Sequence, residues 1–440
     1  MKVPLYKYFG KIKSLPTKTK FPTRTLSSLR ELGVFFVSIF MTAAANVLVL
    51  PMVISHLGPQ YWSQIAAAQA AGALAGSVTL MGWGVSGPAL IAGKAASDHL
   101  PLVKESLRRR APVFVISQIA ACSFVCLTFN ANQVTLSLVA VGSGFTGLSL
   151  GWVFIGLSSA WRLLVFETLP RAAGQIVGVF ALSLIGNPLV FAIVSLAGNL
   201  ASVPMSYSTL RRKSQQSNTF NVEEEASTTS DVTPSNSREP IHSTLASWIS
   251  LIYLSVPILL VTQLWPSQLP QYALFERIWR TVSSVFRPVS QVFQGWIPRS
   301  PDMQHILLRV KVASTLVSAL AVLVSLGTFL FYKSVGLALS SGLIQLSSSF
   351  CITGAIILAS TLISQTLGLA CLTSLKRTNL VTQSAGLGLL VGFITYSLLD
   401  IEIAGQRIGT AVCFSEIAVV VFQATSVWLL GRKIQRNVNI

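Results

Sequence analysis

Acidic residues are scarce in this sequence, with 14 Asp and Glu among 440 residues against 32 Lys and Arg. Charged residues of both signs make up only 10% of the chain, apolar residues make up 52%, and the mean hydropathy is +0.65. That balance excludes an ordinary soluble domain, whose surface needs about a quarter of its residues charged. Histidine is equally sparse, and His56, His99, His242 and His305 share no metal-ligand spacing with one another or with the five cysteines. All five cysteines fall inside apolar runs. Cys122 and Cys126 stand one helical turn apart with no nearby His or carboxylate, the setting of small packing residues and not of a metal or redox centre. There is no GxxxxGK[ST] phosphate loop, no nucleophile elbow and no zinc motif, so nothing points to a catalytic group, a metal or a cofactor.

What the sequence has in abundance is apolar runs of membrane length. A bilayer core asks for roughly 20 apolar residues per helix. Candidate spans lie near 31–55, 62–92, 113–131, 135–160, 172–188 and 189–210. A second set lies near 246–266, 272–298, 312–332, 343–374, 380–398 and 410–430. The reading is an all-α membrane protein with twelve transmembrane helices. The segment 211–245 between the two sets is rich in Ser, Thr and Asn and holds Glu223, Glu224 and Glu225, which reads as a disordered cytoplasmic linker.

The net charge of +18 would suggest nucleic acid in a soluble protein, but here the basic residues sit between apolar runs, at the membrane surface. They test the span count through the positive-inside rule. The basic N-terminus (1–30), the loops holding Arg108, Arg109, Arg110, Arg211, Arg212, Lys213, Lys376 and Arg377, and the basic tail (432–440) all fall on one side. Only Lys333 and Arg407 fall on the other. Both termini are therefore expected in the cytoplasm, and a first segment this long is an uncleaved span and not a signal peptide. Arg162, Glu167 and Arg171 are expected in a solvated loop at the cytoplasmic edge.

Six spans per half give both halves the same orientation, which permits two six-helix lobes, 31–210 and 246–431, related by a parallel pseudo-two-fold. A short echo supports the pairing: Pro59, Gln60 and Tyr61 before the second span match Pro270, Gln271 and Tyr272 before the eighth.

Arg277, Arg280 and Arg287, the remaining basic residues, lie within the eighth span beside Glu276. Four such groups facing lipid would cost on the order of 10 kcal/mol. At 100° per residue, Glu276, Arg277, Arg280, Ser283, Ser284, Arg287, Ser290, Gln291 and Gln294 fall within an arc of roughly 140°. A stripe of this kind lines a protein interior or a wet cavity. Glu276 and Arg280 are spaced to pair, leaving the stripe net positive by two, and a guanidinium suits phosphate oxygens, so the implied ligand is an anion such as a phosphate or diphosphate. The competing reading is that these arginines bond helix C-terminal carbonyls or Glu416, or that Arg277 and Arg280 reach back to the outer interface. Glu416, a lone carboxylate in the last span, is a candidate charge partner or coupling site, and Asn46 with Pro51 in the first span a candidate cavity-lining kink. The glycines of the second span, Gly72, Gly76, Gly82, Gly84 and Gly87, are read as close helix packing first and a gating helix second.

The stretch from Leu50-Pro51 to His56-Leu57-Gly58-Pro59-Gln60-Tyr61-Trp62, followed by Gly82-Trp83-Gly84 and Gly87-Pro88-Ala89, resembles the first two helices of the polysaccharide flippases, of O-antigen or teichoic-acid type. These belong to the multidrug/oligosaccharidyl-lipid/polysaccharide (MOP) exporter superfamily. Tyr272 to Ile278 is similar to the start of that family's eighth helix, and Gly405 to Glu416 to its last. The resemblance implies translocation of a polyprenyl-diphosphate-linked oligosaccharide across the plasma membrane by alternating access, for cell-surface polysaccharide biosynthesis. In that reading Arg277, Arg280 and Arg287, with Glu276 and Gln291, hold the diphosphate. Membrane lipid surrounds the protein, and a polysaccharide polymerase and glycosyltransferases are its working partners; nucleic acid is not. The chain departs from peptidoglycan-precursor flippases, which carry arginines in the first span, by having no Lys or Arg between Glu31 and Lys94. Two alternatives remain: a multidrug-type exporter of the same superfamily, which would want an acidic residue in the first helices, and a membrane-embedded glycosyltransferase or polymerase, which would want catalytic carboxylates and a long external loop.

Overall fold

The computed structural model describes residues 23–92, 94, 96–220, 255–299, 303–375, 377–399 and 404–438, and its regular elements are all helical. The Glu223 to Glu225 run lies outside these residues, as do the first 22. The stretch Thr23–Leu80 is helical on both sides of Gly58, whose φ of 81° and ψ of 161° belong to a region that essentially only glycine occupies. Its arms, 23–57 and 59–80, are α1 and α2. Then follow α3 (Trp83–Ala92), α4 (Ala96–Thr128), α5 (Gln133–Gly144), α6 (Gly151–Gly156), α7 (Ala160–Ile185) and α8 (Pro188–Phe220). The second half holds α9 (Ser255–Leu264), α10 (Leu269–Trp296), α11 (Met303–Leu339), α12 (Ser348–Leu372), α13 (Thr378–Leu398) and α14 (Ala404–Val438).

Among the described residues, nine helical stretches are long and apolar enough to cross a membrane. One of them, Gly33–Leu80, has 48 residues, more than twice the length needed for a core of about 30 Å, and the Gly58 break divides it into two passes. With the short apolar α9 and the amphipathic α10, helices stand at all twelve positions expected from hydropathy. The chain is a multi-pass membrane protein.

Several boundaries differ from the sequence reading. The apolar run 62–92 is two helices, because Met81 and Gly82 both take positive φ (47° and 76°) and turn the chain between α2 and α3. The fourth span is likewise broken, by a 3-10 turn at Phe145–Leu148. Helix α8 continues past Arg211, Arg212 and Lys213 to Phe220, well into the polar segment; Leu210 still packs on the first-half core while Arg211 and Arg212 are exposed. Pro59 and Pro270 each stand in the first turn of a helix, α2 and α10, where a missing N–H costs nothing.

Packing groups α1 and α2 with α4, α5 and α7, and α7 with α8; in the second half α12 packs on α10, α11 and α14, and α13 on α14. The α1–α2 arm also packs on α10, joining the two groups. The glycines of α2 serve this packing. A Cβ on Gly72 would lie 1.9 Å from the carbonyl oxygen of Ala140 in α5, a backbone contact that cannot move aside. Gly72→Val is therefore expected to lower stability by about 3 kcal/mol, the upper range for overpacking a tight contact, read as a lower melting temperature of the detergent-purified protein. Gly386→Ala, where nothing lies within 4 Å, serves as the neutral control.

Candidate functional site

Helix α10 runs beside α2 with its apolar face against the core: Leu274, Phe275, Ile278 and Trp279 are buried. Phe275 stacks on Phe350 of α12 with ring centroids 4.9 Å apart, and its carbonyl accepts the Tyr332 hydroxyl at 2.8 Å. This fixes the rotation of α10 and turns Glu276, Arg277, Arg280 and Arg287 toward a cavity of about 750 Å³. Most of the rest of the cavity wall comes from the first half, including Ser38, Thr42 and Asn46 of α1, Gln69 of α2, Glu167, Arg171 and Gln175 of α7, and Asn199 of α8, with Ile258 of α9 and Ala273 of α10 from the second.

The sequence-derived stripe divides in the structure. Glu276 is 5% exposed and forms an ion pair with Arg280, which lies over the Trp279 ring at 5.4 Å. Arg277 reaches across the seam and donates from Nη2 to Oε1 of Gln69 at 3.2 Å. Arg287 lines the cavity and makes no ion pair among the described residues. Farther along α10, Ser290 is buried and shares a 2.8 Å hydrogen bond with Thr366 of α12, while Gln291 is exposed and stands outside the cavity. Glu416 is buried in α14, 5% exposed, also away from the cavity. Asn46 lines it, with its amide donating to the Thr42 carbonyl at 2.9 Å. Helix α1 stays continuous through Pro51 and breaks only at Gly58.

A second charged group was missed by sequence reading. Glu167 and Arg171, expected in a solvated loop, lie in α7 on the cavity wall, with Glu167 only 3% exposed. The reason is a set of contacts distant along the chain. Glu167 accepts the Leu150 N–H at 2.7 Å, the Ser149 hydroxyl at 3.0 Å and the Ser206 hydroxyl at 3.4 Å, and Arg171 Nη2 lies 2.8 Å from its Oε2. Arg110, which hydropathy groups with the solvated Arg108 and Arg109, is fully buried and donates to the carbonyls of Gly147 at 2.9 Å and Ser149 at 3.1 Å. The signal in the sequence was the i, i+4 Glu–Arg spacing of 167 and 171, identical to that of 276 and 280. Four arginines and two glutamates line the cavity, a net charge of +2, and each glutamate is paired to an arginine.

Where the turns near 58, 265 and 341 meet, a single apolar core runs through both groups of helices, including Val53, Ile54, Trp62, Leu269, Tyr272, Phe275 and Phe350. Gln60 Nε2 donates to the Pro266 carbonyl at 3.2 Å and Ser341 Oγ to the Pro51 carbonyl at 3.4 Å, both across the seam. At the far end the cores separate, one with Ile91, Val103 and Trp152, the other with Ile297, Val310 and Cys371.

No protein-family model matches the sequence, and no curated protein does. Solved structures match in fold. The lipid II flippase MurJ in its inward closed conformation superposes with a TM-score of 0.62 at 12% identity, over 89% of this chain and 87% of that one. A MATE transporter in the bent conformation gives 0.55 at 11% identity, over 94% and 97%. An inward-facing multidrug resistance MATE family transporter of the MOP superfamily gives 0.53 at 12% identity, over 93% and 99%. At these identities the likeness is one of fold.

Proposed function

With the fold of MOP superfamily transporters as its scaffold, we propose that this chain is a flippase that moves a polyprenyl-diphosphate-linked oligosaccharide across the plasma membrane by alternating access. The observation that carries the reading is the net positive cavity between the two groups of helices. A cation would be repelled from such a cavity, whereas a diphosphate gains charge-assisted hydrogen bonds from Arg277, Arg280 and Arg287. Uncharged donors and acceptors beside them, Asn46, Gln69, Gln175 and Asn199, suit sugar hydroxyls. The solved structure whose name is that of a lipid flippase supports the same class of cargo.

In this reading residues 31–210 and 246–431 act as two six-helix lobes related by a pseudo-two-fold, with both termini in the cytoplasm. The continuous core then seals the extracytoplasmic side, and the separated cores leave the cavity facing the cytoplasm, the loading state for an outward flippase. Glycosyltransferases would supply its substrate and a polysaccharide polymerase would consume it.

Proteoliposomes containing a fluorescent polyprenyl-diphosphate glycan test the reading directly. The wild-type protein should bring the internal label within reach of an external quencher, and should leave a cationic dye such as ethidium where it is. Dye transport with an immobile glycolipid would overturn the proposal in favour of a multidrug-type exporter.

A further inference from the structure

The two Glu–Arg pairs of the cavity are built alike. In each, the acid is buried (side-chain exposure 4% for Glu167 and 7% for Glu276) and the arginine four residues later is the more exposed partner, at 22% for Arg171 and 36% for Arg280. One pair stands on α7 and the other on α10, and both arginines line the same cavity. The α7 pair is also more than a neutralised charge. Glu167 already accepts from Leu150 N, Ser149 Oγ and Ser206 Oγ, so its carboxylate is satisfied without a hydrogen bond from Arg171. Arg171 is anchored through Nε, which donates to Ser202 Oγ at 3.2 Å, and its Nη2 is buried in the ion pair, 2.8 Å from Glu167 Oε2. Arg110 adds a second guanidinium within electrostatic reach of Glu167, leaving this cluster net positive by one. Glu167 itself sits in a π turn, Leu164–Thr168, an irregularity that concentrates at functional sites. Across the cavity, Nε of Arg277 is buried without a hydrogen-bond acceptor among the described residues.

We propose that α7 supplies a second anion-binding wall, with Arg171 contacting the cargo, so that a diphosphate is held between Arg171 on one side and Arg277 and Arg287 on the other. This deepens the flippase reading and rests on it. A diphosphate carries oxygens on two phosphorus centres and can engage both walls, whereas a monophosphate is held by α10 alone. A ligand bound across the seam favours closure of the cavity around itself, because only the approach of the two walls completes its contacts.

The test uses the full chain purified in detergent and titrated with inorganic diphosphate and, separately, inorganic phosphate. Arg171→Gln should weaken diphosphate binding about tenfold, the effect of removing one charge-assisted hydrogen bond, and change phosphate binding less than about threefold. Arg171→Lys, which keeps the charge without the fork, should fall between Gln and wild type and serves alone if Arg171→Gln does not fold. Wild-type diphosphate affinity in both variants, with Arg277→Ala weakened, overturns the α7 wall and leaves the flippase reading standing. Equal losses for the two anions overturn the bridging geometry. Wild-type affinity in Arg171→Gln, Arg277→Ala and Arg287→Ala together overturns both readings.

Discussion

Alanine at both Arg277 and Arg287 should slow glycolipid translocation by about 100-fold or more, while leaving the protein folded. Hydrogen bonds to charged groups contribute about 1.5–3 kcal/mol each, and the double substitution takes the cavity from a net charge of +2 to zero. The fold should survive because neither arginine is needed to balance a buried carboxylate: Glu276 keeps Arg280, and the apolar face of α10 is untouched. Truncating Arg277 does break its 3.2 Å hydrogen bond to Gln69, but the Gln69 amide lines the cavity and can turn to water there. Each single variant should show a smaller defect, and Arg277→Lys with Arg287→Lys a partial one, since the charge stays and the bidentate geometry goes. The measurement is the initial rate of label movement in proteoliposomes at matched protein density. A double variant running at the wild-type rate would remove α10 from the account of cargo binding.

How much of this was legible in the sequence follows from which interactions are local. Spans could be read from hydropathy because lipid rewards apolar length in each helix separately. The α10 stripe could be read because Glu276, Arg277, Arg280 and Arg287 lie on one helix and the 3.6-residue period puts them on one face. Asn46 was found by its polarity within an apolar run, and the structure puts it on the cavity wall. Glu167 and Arg171 escaped for the converse reason. Their flanking sequence is short of apolar residues on one side, which resembles a loop, and the groups that bury them are Ser149, Leu150, Ser202 and Ser206, from α8 and the turn before α6. No period within α7 encodes those partners. Arg110 shows the same limit more sharply. In a run of three arginines composition treats all alike, yet 100° of rotation per residue leaves Arg109 exposed and turns Arg110 fully inward. The break at Gly58 falls in the gap expected between the first two spans, but that at Met81–Gly82 was hidden inside an uninterrupted apolar run whose hydropathy carries no record of backbone φ.

Glu167 leads to the largest stability effect expected in the molecule. Its carboxylate lies between two guanidinium groups, Arg110 fully buried and Arg171 at 22% side-chain exposure, and it accepts the Leu150 N–H besides. Glu167→Ala would leave both cations without their counter-charge and one buried N–H without an acceptor. Removing one partner of a buried ion pair costs about 3–5 kcal/mol. Glu167→Gln keeps an acceptor for Leu150 and should recover part of that loss, because the hydrogen bond survives and the charge does not. Relief of the remaining strain should come from the second cation: adding Arg171→Gln to Glu167→Gln removes one of the two uncompensated charges, so the double variant should melt above Glu167→Gln alone even though it carries more changes. That sign inversion separates an electrostatic cause from simple loss of packing, which would make every added substitution worse. Melting midpoints of the detergent-purified variants, followed by tryptophan fluorescence, decide the matter. A Glu167→Ala protein that melts within about a degree of wild type would mean that the charges of this cluster are screened by water and that the α7 wall is not a dry, preorganised site.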